Sequence, residues 1–401
     1  MIPLNEPRIA KNALKYVTDC VQTGWISSAG AYIEKFEINF ARYLGVKHAI
    51  TTTSGTTALH LALASLGIGE GDEVIIPALT MMAVPFAVLY TGASCVSIDV
   101  DSEIFNISPE KIKSFIEKNC SYNPDTKQLI NKYTNKHLKA IIPVHTYGHP
   151  CDMADILQVA KKYSLLVIED AAEAHGAEYH KDISGKESNK DTISHKAGSM
   201  GDVGCFSFFA NKIITTGEGG MLVTNSDGIA EKARVLKDLC HCPERRFLHT
   251  GVGFNYRMTN LQAALGLAQL EEIQDDIKIK REMAQMYNEL LKDIPGITTP
   301  IEKPWAKSVY WMYAILVEPD FGISRDSFMK RLKEQGVDTR TFFIPIDKQP
   351  FFNKKICFSD GDCSVSNSLS EKGLYLPSAL TITKKQINKV CSSIKKISQK
   401  L

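Results

Sequence analysis

The sequence predicts an α/β protein with a mostly parallel central sheet flanked by helices and a smaller C-terminal α+β domain. Two observations indicate this class. Short runs rich in β-branched residues alternate with helical patterns through the N-terminal half, which is typical of βαβ units. The pattern changes after Pro295, where shorter segments follow a long amphipathic stretch. A chain of 401 residues has room for one large and one small domain.

The strands of the large domain are predicted from short apolar runs bounded by polar or glycine-containing segments. They lie at 47–53, 73–77, 94–100, 139–146, 165–170, 205–209 and 220–225. Between them, 57–67 and 152–163 have apolar residues at helical spacing. Parallel strands need crossover connections of this kind, so the sheet is predicted to be mostly parallel.

The C-terminal part is predicted from a second set of patterns. The long amphipathic stretch runs from Asn260 to about Leu291. Beyond it, 309–317 predicts a strand, a helix is expected around Arg325–Gln335, and a final helix begins at Thr383. The resulting division is an N-terminal segment 1–30, a large domain 31–280 and a small domain 281–401.

Two polar stretches, 119–137 and 180–198, are predicted to be surface insertions. Both are rich in Lys, Asn, Ser and Asp and lack apolar periodicity. Such composition is typical of loops, and we expect both stretches to be mobile.

Composition excludes several classes of partner and site. The net charge of +2 favours neither nucleic acid nor an anionic membrane surface. Without an apolar run of about 18 residues, no membrane span is expected. The first residues, MIPLNEPRIAKN, lack the apolar core of a signal peptide, so we expect a cytoplasmic protein. Ten cysteines form no C-x2-C pair, and Cys240, His241 and Cys242 are too closely spaced for a structural zinc site; no metal is expected.

The string SGTTAL (54–59) follows the first predicted strand and opens a helix. Amides at a helix N-terminus suit a phosphate dianion, and Gly55 allows close approach while Thr56 adds a hydroxyl donor. An ordinary Ser N-cap at residue 54 explains the same letters equally well.

Asp170 ends the apolar run LLVIED (165–170), at the sheet edge where ligands gather. A carboxylate there needs a cationic partner, and a pyridinium nitrogen is one. The alternative is a structural Asp that caps the next helix.

Lys212 lies in FSFFANKIITTGEGGM (206–221), between an aromatic strand and a glycine-rich turn. Partial burial among these apolar residues would lower its pKa and favour Schiff-base chemistry. Ser207 precedes it by five residues and is placed to reach the same phosphate as Gly55. A lysine that merely ends a strand is the alternative.

Polar residues also interrupt an apolar setting in GFNYRMTN (253–260). Asn255 and Arg257 are candidate ligands, whereas Thr259 is a candidate N-cap for the following helix.

These strings resemble the sugar-aminotransferase family of fold-type I pyridoxal-phosphate enzymes, which aminates nucleotide-linked keto sugars. The resemblance runs from IPLNEP (2–7) to GLYLPSALTIT (373–383). The segments that carry it are 23–30, 169–177, 206–221 and 252–271. It implies pyridoxal 5′-phosphate as cofactor, L-glutamate as amino donor, and a nucleotide-linked 4-keto-6-deoxy sugar, GDP-linked by first expectation, as acceptor. It also implies a homodimer with shared active sites.

The resemblance also assigns residue roles. Lys212 matches the lysine that carries the cofactor, Asp170 the partner of the pyridine nitrogen, and Glu173 the contact to the ring hydroxyl. Asn255 matches the residue that reaches the phosphate from the neighbouring subunit. The phosphate ligands within one chain are then Gly55, Thr56 and Ser207.

Two positions depart from the family pattern. Met81 stands where an aromatic residue usually stacks on the cofactor ring, and a thioether packs there more weakly. PIDKQP (345–350) has Asp347 where the family often has His, which concerns the sugar or nucleotide contacts.

Four residues are candidates for the sugar nucleotide, and each has a structural alternative. They are Trp25, Ser28, Tyr313 and Arg340. The segment 23–30 tends to line the sugar-nucleotide site in the family. However, the two aromatic residues also suit a core, and the arginine also suits a surface ion pair.

Three rival functions share parts of this pattern, and the sequence argues against two of them. An aminotransferase for a UDP-linked 4-keto sugar would share nearly all motifs, and the insertion at 119–137 leans towards it because some UDP-sugar relatives carry one there. A deoxysugar dehydratase of the same family has His at this position, whereas this chain has Lys212, which argues against that function. A non-catalytic regulatory relative would not need Lys212, Asp170 and Ser207 intact.

Overall fold

The structure is a computed structural model and describes residues 1–183, 194–242, 244–245, 247–353, 357–359, 361 and 363–400. The helices are α1 (Ala13–Thr23), α2 (Ala31–Leu44), α3 (Gly55–Ser65), α4 (Ala83–Tyr90), α5 (Pro109–Asn119), α6 (Met153–Tyr163), α7 (Asp227–Lys237), α8 (Asn260–Glu271), α9 (Ile273–Leu291), α10 (Arg325–Glu334), α11 (Ser364–Lys372) and α12 (Lys384–Ser398). The strands are β1 (His48–Thr52), β2 (Asp72–Pro77), β3 (Ser94–Ile98), β4 (Cys120–Asn123), β5 (Gln128–Asn131), β6 (His137–Ile141), β7 (Leu166–Asp170), β8 (Glu178–Tyr179), β9 (His195–Lys196), β10 (Val203–Ser207), β11 (Gly220–Thr224), β12 (Ile297–Thr298), β13 (Ala306–Lys307), β14 (Tyr313–Val317), β15 (Arg340–Thr341), β16 (Cys357–Ser359) and β17 (Gly373–Leu376). Short 3-10 helices lie at Thr146–Gly148, Pro319–Phe321 and Ile346–Lys348.

The large sheet has the strand order β1-β11-β10-β7-β6-β2-β3-β16. Every neighbouring pair from β10 to β16 is parallel, whereas β11 is antiparallel to both β10 and β1. The predicted α/β class with a mostly parallel sheet flanked by helices is therefore confirmed.

Alternating side chains of the central strands pack on opposite faces of this sheet, as the two-residue period requires. Phe206 and Met221 lie in a core cluster with Phe36 of α2. Cys205 and Leu222, the adjacent residues, lie in a second cluster with residues of α3, α4 and α7. Helices on both faces explain why the strands read as continuous apolar runs.

A four-stranded antiparallel sheet, β12-β14-β17-β15, forms the centre of the C-terminal part. The buried faces of α9, α10 and α12 pack into its core, with Tyr287, Phe328 and Ile394 fully buried. The long amphipathic stretch after Asn260 is two helices, α8 and α9, and the final helix has Thr383 as its N-cap.

The domain boundaries at 30/31 and 280/281 stay predictions, and two pairings cross them. Near the N-terminus, Ile2 forms a parallel bridge with Val337. In the C-terminal part, β16 extends the edge of the large sheet by pairing in parallel with β3.

The insertion at 119–137 is not the mobile loop that its composition predicts. β4 and β5 form an antiparallel hairpin that joins β6 through the pair Ile130 and His137. Cys120 and Leu129 are buried, and the Asn131 amide donates to Glu73 Oε2 at 2.8 Å. Short strands carrying alternate polar residues have too little apolar content to be recognised by composition.

The second predicted insertion, 180–198, is described only in part, because 184–193 lie outside the described residues. In the described part, β9 pairs with β8, which in turn pairs with β13. Among the described residues, no helix has both the length and the apolar character needed to cross a bilayer.

Candidate active site

The carboxyl ends of the central strands meet at one edge of the large sheet, where the predicted site residues gather. Asp170 is the last residue of β7, and Ser207 is the last residue of the neighbouring parallel strand β10. β1 leads into α3, whose first residue is Gly55. Ligands of open α/β sheets bind at this edge.

Lys212 is buried between the carboxylate of Glu173 and the ring of Trp311. Its side chain is 11% exposed, and its Nζ lies 3.6 Å from Glu173 Oε1. The Nζ also lies 3.7 Å from the centroid of the Trp311 ring. Burial lowers the pKa of Lys212, and the nearby carboxylates of Glu173 and Asp170 partly oppose this shift. A buried amine with a lowered pKa is suited to nucleophilic and base chemistry.

Asp170 is a buried carboxylate, as predicted. Its Oδ1 accepts a hydrogen bond from the Ala172 backbone N–H at 3.0 Å. Burial raises the pKa of Asp170, while the Ala172 N–H, Lys212 and His145 favour the charged form. A cation placed against this carboxylate would satisfy it, so the residue can hold a protonated ring nitrogen.

Glu173 is held by a residue that sequence reasoning missed. The backbone N–H of Tyr147 donates to Glu173 Oε2 at 2.8 Å, which leaves Oε1 towards Lys212. Tyr147 has a φ of 53°, an uncommon conformation for a residue with a side chain. Burial raises the pKa of Glu173, opposed first by Lys212.

A second buried pair, also missed, supports the strand end. Glu169 accepts backbone N–H groups from Gly198, Met200 and Gly201 at 2.6 to 2.8 Å. Its fourth partner is His145 Nε2 at 2.9 Å, and His145 Nδ1 accepts the Cys151 N–H at 3.0 Å. The ring proton is thereby assigned to Nε2. The sequence contains a signal for this pair. Glu169 is a second acid in the apolar string LLVIED, and as the neighbour of Asp170 in a strand it must face the other side of the sheet, where it needs buried partners.

The N-terminus of α3 is pressed against the ends of β10 and β11. A Cβ on Gly55 would lie 2.7 Å from Ser207 Cβ, and one on Gly220 would lie 2.2 Å from the Ser54 carbonyl oxygen. Ser54 is also a helix N-cap, since its side chain accepts from the Thr57 N–H at 3.2 Å. The Ser54 cap is therefore present, and it is compatible with the predicted phosphate site, since Gly55 and Thr56 begin α3 and Gly55 lies against Ser207.

Two further predicted positions, Met81 and Asn255, lie at the surface. Met81 is 55% exposed and begins the turn into α4, so its packing on a cofactor ring stays a prediction. Asn255 is exposed, and its Oδ1 accepts from Arg257 Nε at 3.0 Å. Arg257 in turn pairs with Asp238 at 2.8 Å. The reach of Asn255 into a neighbouring subunit also stays a prediction.

Three of the four sugar-nucleotide candidates are accessible. Trp25 is 59% exposed and Ser28 is exposed, in a segment held by Asn260, whose amide donates to the Trp25 carbonyl at 2.7 Å. Arg340 is exposed on β15, opposite Tyr375 of β17.

Tyr313 is not available to a substrate, contrary to the prediction. It is fully buried in the core of the small sheet, where it stacks on Tyr287 with a centroid distance of 4.6 Å. Its hydroxyl donates to Asn288 Oδ1 at 2.6 Å. The neighbour that does reach the site is Trp311, two residues earlier, which the sequence did not single out.

A lysine and two carboxylates buried at the carboxyl edge of a mostly parallel α/β sheet define an enzyme-like site built for amine chemistry. The family model described as the DegT/DnrJ/EryC1/StrS aminotransferase family matches residues 7–395. The chain belongs to the DegT/DnrJ/EryC1/StrS aminotransferase family, and the family resemblance seen in the sequence is confirmed.

Curated relatives and solved structures agree with this assignment. The chain is 41% identical over 397 residues to GDP-perosamine synthase of Caulobacter vibrioides, covering 99% of this chain and 98% of that one. It is 39% identical over 398 residues to GDP-perosamine synthase of Vibrio cholerae, covering 98% of each. A DegT DnrJ EryC1 StrS aminotransferase from Brucella abortus superposes with a TM-score of 0.84 at 27% identity, covering 96% of this chain and 95% of that chain. DesV of S. venezuelae superposes with a TM-score of 0.83 at 28% identity, covering 97% and 95%.

Proposed function

We propose that the enzyme uses pyridoxal 5′-phosphate to transfer an amino group from L-glutamate to C4 of GDP-4-keto-6-deoxymannose, forming GDP-perosamine. The observation that carries this proposal is the buried Lys212 beside Glu173 and near Asp170. It occurs in a chain 38–41% identical over its full length to three enzymes named GDP-perosamine synthase. We further propose a cytoplasmic homodimer with shared active sites.

The residues present fit the cofactor. Gly55 and Ser207 approach so closely that a Cβ at residue 55 would fill the space between them, as a phosphate cradle requires. Asp170 is a buried carboxylate that suits a protonated ring nitrogen. The Glu173 carboxylate lies next to the Lys212 amine. Lys212 supplies the amine for covalent attachment. Bound pyridoxal phosphate would supply an aldehyde that accepts the amino group and a ring that withdraws electrons from the adjacent carbon.

The side chains then divide the work of proton transfer. Lys212 Nζ, once free, takes the α-proton of glutamate as general base and later returns a proton to C4 of the sugar. Burial lowers the pKa of Lys212, which increases the share of the neutral amine at neutral pH. Asp170 would hold the proton on the ring nitrogen of the bound cofactor. Glu173, oriented by the Tyr147 N–H, faces Lys212 through Oε1 and can hold the ammonium form between steps.

A panel of acceptors tests the substrate. With glutamate as donor, kcat/KM is measured for GDP-4-keto-6-deoxymannose and for UDP-linked 4-keto-6-deoxy sugars. We expect the GDP-linked acceptor to be preferred by roughly a hundredfold or more, since an active site that hydrogen-bonds one base leaves polar groups unpaired with the other. Preference for a UDP-linked acceptor would replace the GDP assignment with its rival.

Two lysine variants test the chemistry independently of the sugar. Lys212→Ala should abolish both transfer from glutamate and the absorbance band of covalently attached cofactor. Lys47→Ala, at a side chain 61% exposed, is the matched control and should behave like the wild type. Full activity in Lys212→Ala would overturn the assignment of Lys212. If the wild type showed the band of attached cofactor but no amino transfer to any acceptor, the result would favour a regulatory relative.

A further inference from the structure

Trp311 makes two separate contacts with the segment that carries the reactive lysine. Its ring centroid lies 3.7 Å from Lys212 Nζ. Its indole N–H donates to the backbone carbonyl of Asn211, the residue before Lys212, at 2.7 Å. Trp311 is only 4% exposed, so both contacts lie away from water. One side chain thus touches the amine and also fixes the backbone from which the amine projects.

The backbone on which Lys212 stands has two further anchors. The Asn5 side-chain amide donates to the same Asn211 carbonyl at 2.8 Å. The Lys212 N–H donates to the Phe209 carbonyl at 2.9 Å, closing the turn. With these bonds in place, the remaining freedom of Lys212 lies in its own side chain, which rests on the indole.

Trp311 is in turn positioned by contacts with Lys280 and Tyr147. Its carbonyl accepts a hydrogen bond from the buried Lys280 Nζ at 2.9 Å. Its ring stacks near Tyr147, with a centroid distance of 6.5 Å and an interplanar angle of 24°. Tyr147 is the residue whose N–H orients Glu173, so the supports of the lysine and of its carboxylate partner touch each other.

We propose that Trp311 is a positioning residue that stabilises the ammonium form of Lys212 over its ring and aims the amine into the site. The negative face of an indole attracts a cation, and the attraction is largest where water is excluded. The other groups that act on Lys212 are the Glu173 and Asp170 carboxylates, while the ring of His175 lies near it. Burial and Lys212 lower the pKa of His175 to about 3, so this ring is neutral and does not compete as a cation.

The direction of the effect distinguishes this role from simple packing. Glu173, Asp170 and Trp311 all favour the charged amine, whereas burial opposes it. Replacing the indole with an apolar side chain of moderate size removes an attraction without adding a charge. The midpoint of Lys212 titration should therefore fall. This role rests on the proposed function of Lys212 but can be measured without turnover.

The test uses the full chain, with Trp311→Leu and Trp311→Phe as variants. Each protein is first treated with hydroxylamine, which removes any bound aldehyde, including pyridoxal phosphate, so that the Lys212 amine is free. Lys212 is labelled competitively with acetic anhydride across a pH series, and the modified peptide is quantified by mass spectrometry. In Trp311→Leu we expect a midpoint about one pH unit lower, equivalent to about tenfold more neutral amine at a fixed lower pH. Trp311→Phe keeps an aromatic face and should give a smaller shift in the same direction.

Trp305→Phe is the matched control, because its ring packs on Tyr179, at a centroid distance of 5.2 Å, rather than on Lys212. Its midpoint should equal that of the wild type. An unchanged or raised midpoint in Trp311→Leu, or an equal shift in the control, overturns the role. If Trp311→Leu does not fold, Trp311→Phe decides by the same criterion. If the wild type did not aminate the sugar at all, that result would contradict the proposed function. The titration of Lys212 could still be measured and would still test the role of Trp311.

Discussion

At Lys212, burial and charge act in opposite directions, and the balance suits a group that must give up and regain a proton. Burial disfavours the ammonium, whereas Glu173 and Asp170 favour it. Burial raises the pKa of Asp170, and the Ala172 N–H and Lys212 oppose this shift only in part. Each group therefore depends on the others for its charge, so changing one should alter the protonation of the rest.

Asp170→Asn tests this dependence. The amide can still accept the Ala172 N–H, but it cannot stabilise a proton on a ring nitrogen. We expect turnover with glutamate to fall by roughly 10² to 10⁴, as for loss of a positioned proton-holding group, with cofactor still bound. Stopped-flow absorbance of the glutamate reaction measures the rate.

Asp202→Asn is the control for this change. Asp202 also accepts a backbone N–H, from Val167 at 2.8 Å, but it lies just before β10 starts, at the opposite end from the site. The control should retain wild-type turnover. An unchanged rate in Asp170→Asn would remove Asp170 from the proposed mechanism.

Site residues can be predicted from the sequence when their local neighbours reveal them, but not when their role depends on contacts with distant parts of the chain. Lys212 and Asp170 are visible in the sequence because a charged residue stands out in a local apolar run. Trp311 is invisible, because its importance comes from a hydrogen bond to Asn211, 100 residues away. Tyr313, the aromatic residue that the sequence analysis names as a candidate, lies two residues further along the chain. Only the packing shows that Tyr313 belongs to the core of the small sheet.

At the scale of elements, strands and helices with strong periodicity were predicted well and weak ones were not. Most of the seven central strand runs and the helix after Thr383 match the structure to within two residues at each end, whereas the run 139–146 extends five residues beyond the end of β6. The β4–β5 hairpin was missed because its four-residue strands are polar on one face. The contribution of β16 to the large sheet could not be foreseen either, since parallel pairing with β3 joins residues 262 positions apart, as for Cys95 and Cys357.

The buried amine of Lys280 links helix α9 to the residues that flank β14 and β17. Lys280 donates from Nζ to the carbonyls of Trp311 and Ser378. Burial lowers the pKa of Lys280 to about 7, with Asp276 opposing the shift. An unfolded lysine keeps a pKa near 10.4, so between these values the unfolded chain binds more protons than the folded one.

Stability attributable to Lys280 should therefore increase with pH above 7. Relative to Lys280→Met, the wild type should gain up to about 1.4 kcal/mol per pH unit between pH 7 and about pH 10. Thermal unfolding of both proteins at pH 7 and pH 9.5 measures the difference. Lys278→Met, on the exposed face of the same helix, should show no such change with pH. A difference that is constant across this range would show that Lys280 titrates normally.

At the scale of the whole molecule, one chain carries Lys212, Asp170 and Ser207 at the sheet edge, whereas Asn255 is exposed and forms a bridge with Asp238, the residue after α7. Its Oδ1 is turned towards Arg257 of the same chain, and Arg257 is paired with Asp238. An exposed asparagine fixed by an ion pair is well placed to reach a second subunit. We therefore expect each site of a homodimer to combine Lys212 of one subunit with Asn255 of the other.

Mixed dimers test this arrangement. Lys212→Ala removes the reactive amine, and Asn255→Asp places a carboxylate against the phosphate, so each parent dimer should have little activity. In a mixed dimer, one site receives both defects and the other receives Lys212 and Asn255 intact. Random reassociation after co-denaturation should thus restore about a quarter of wild-type activity, since half of the dimers are mixed and each has one sound site. If Asn255 served its own subunit, every site would keep one defect and the mixture would show only the average of its parents.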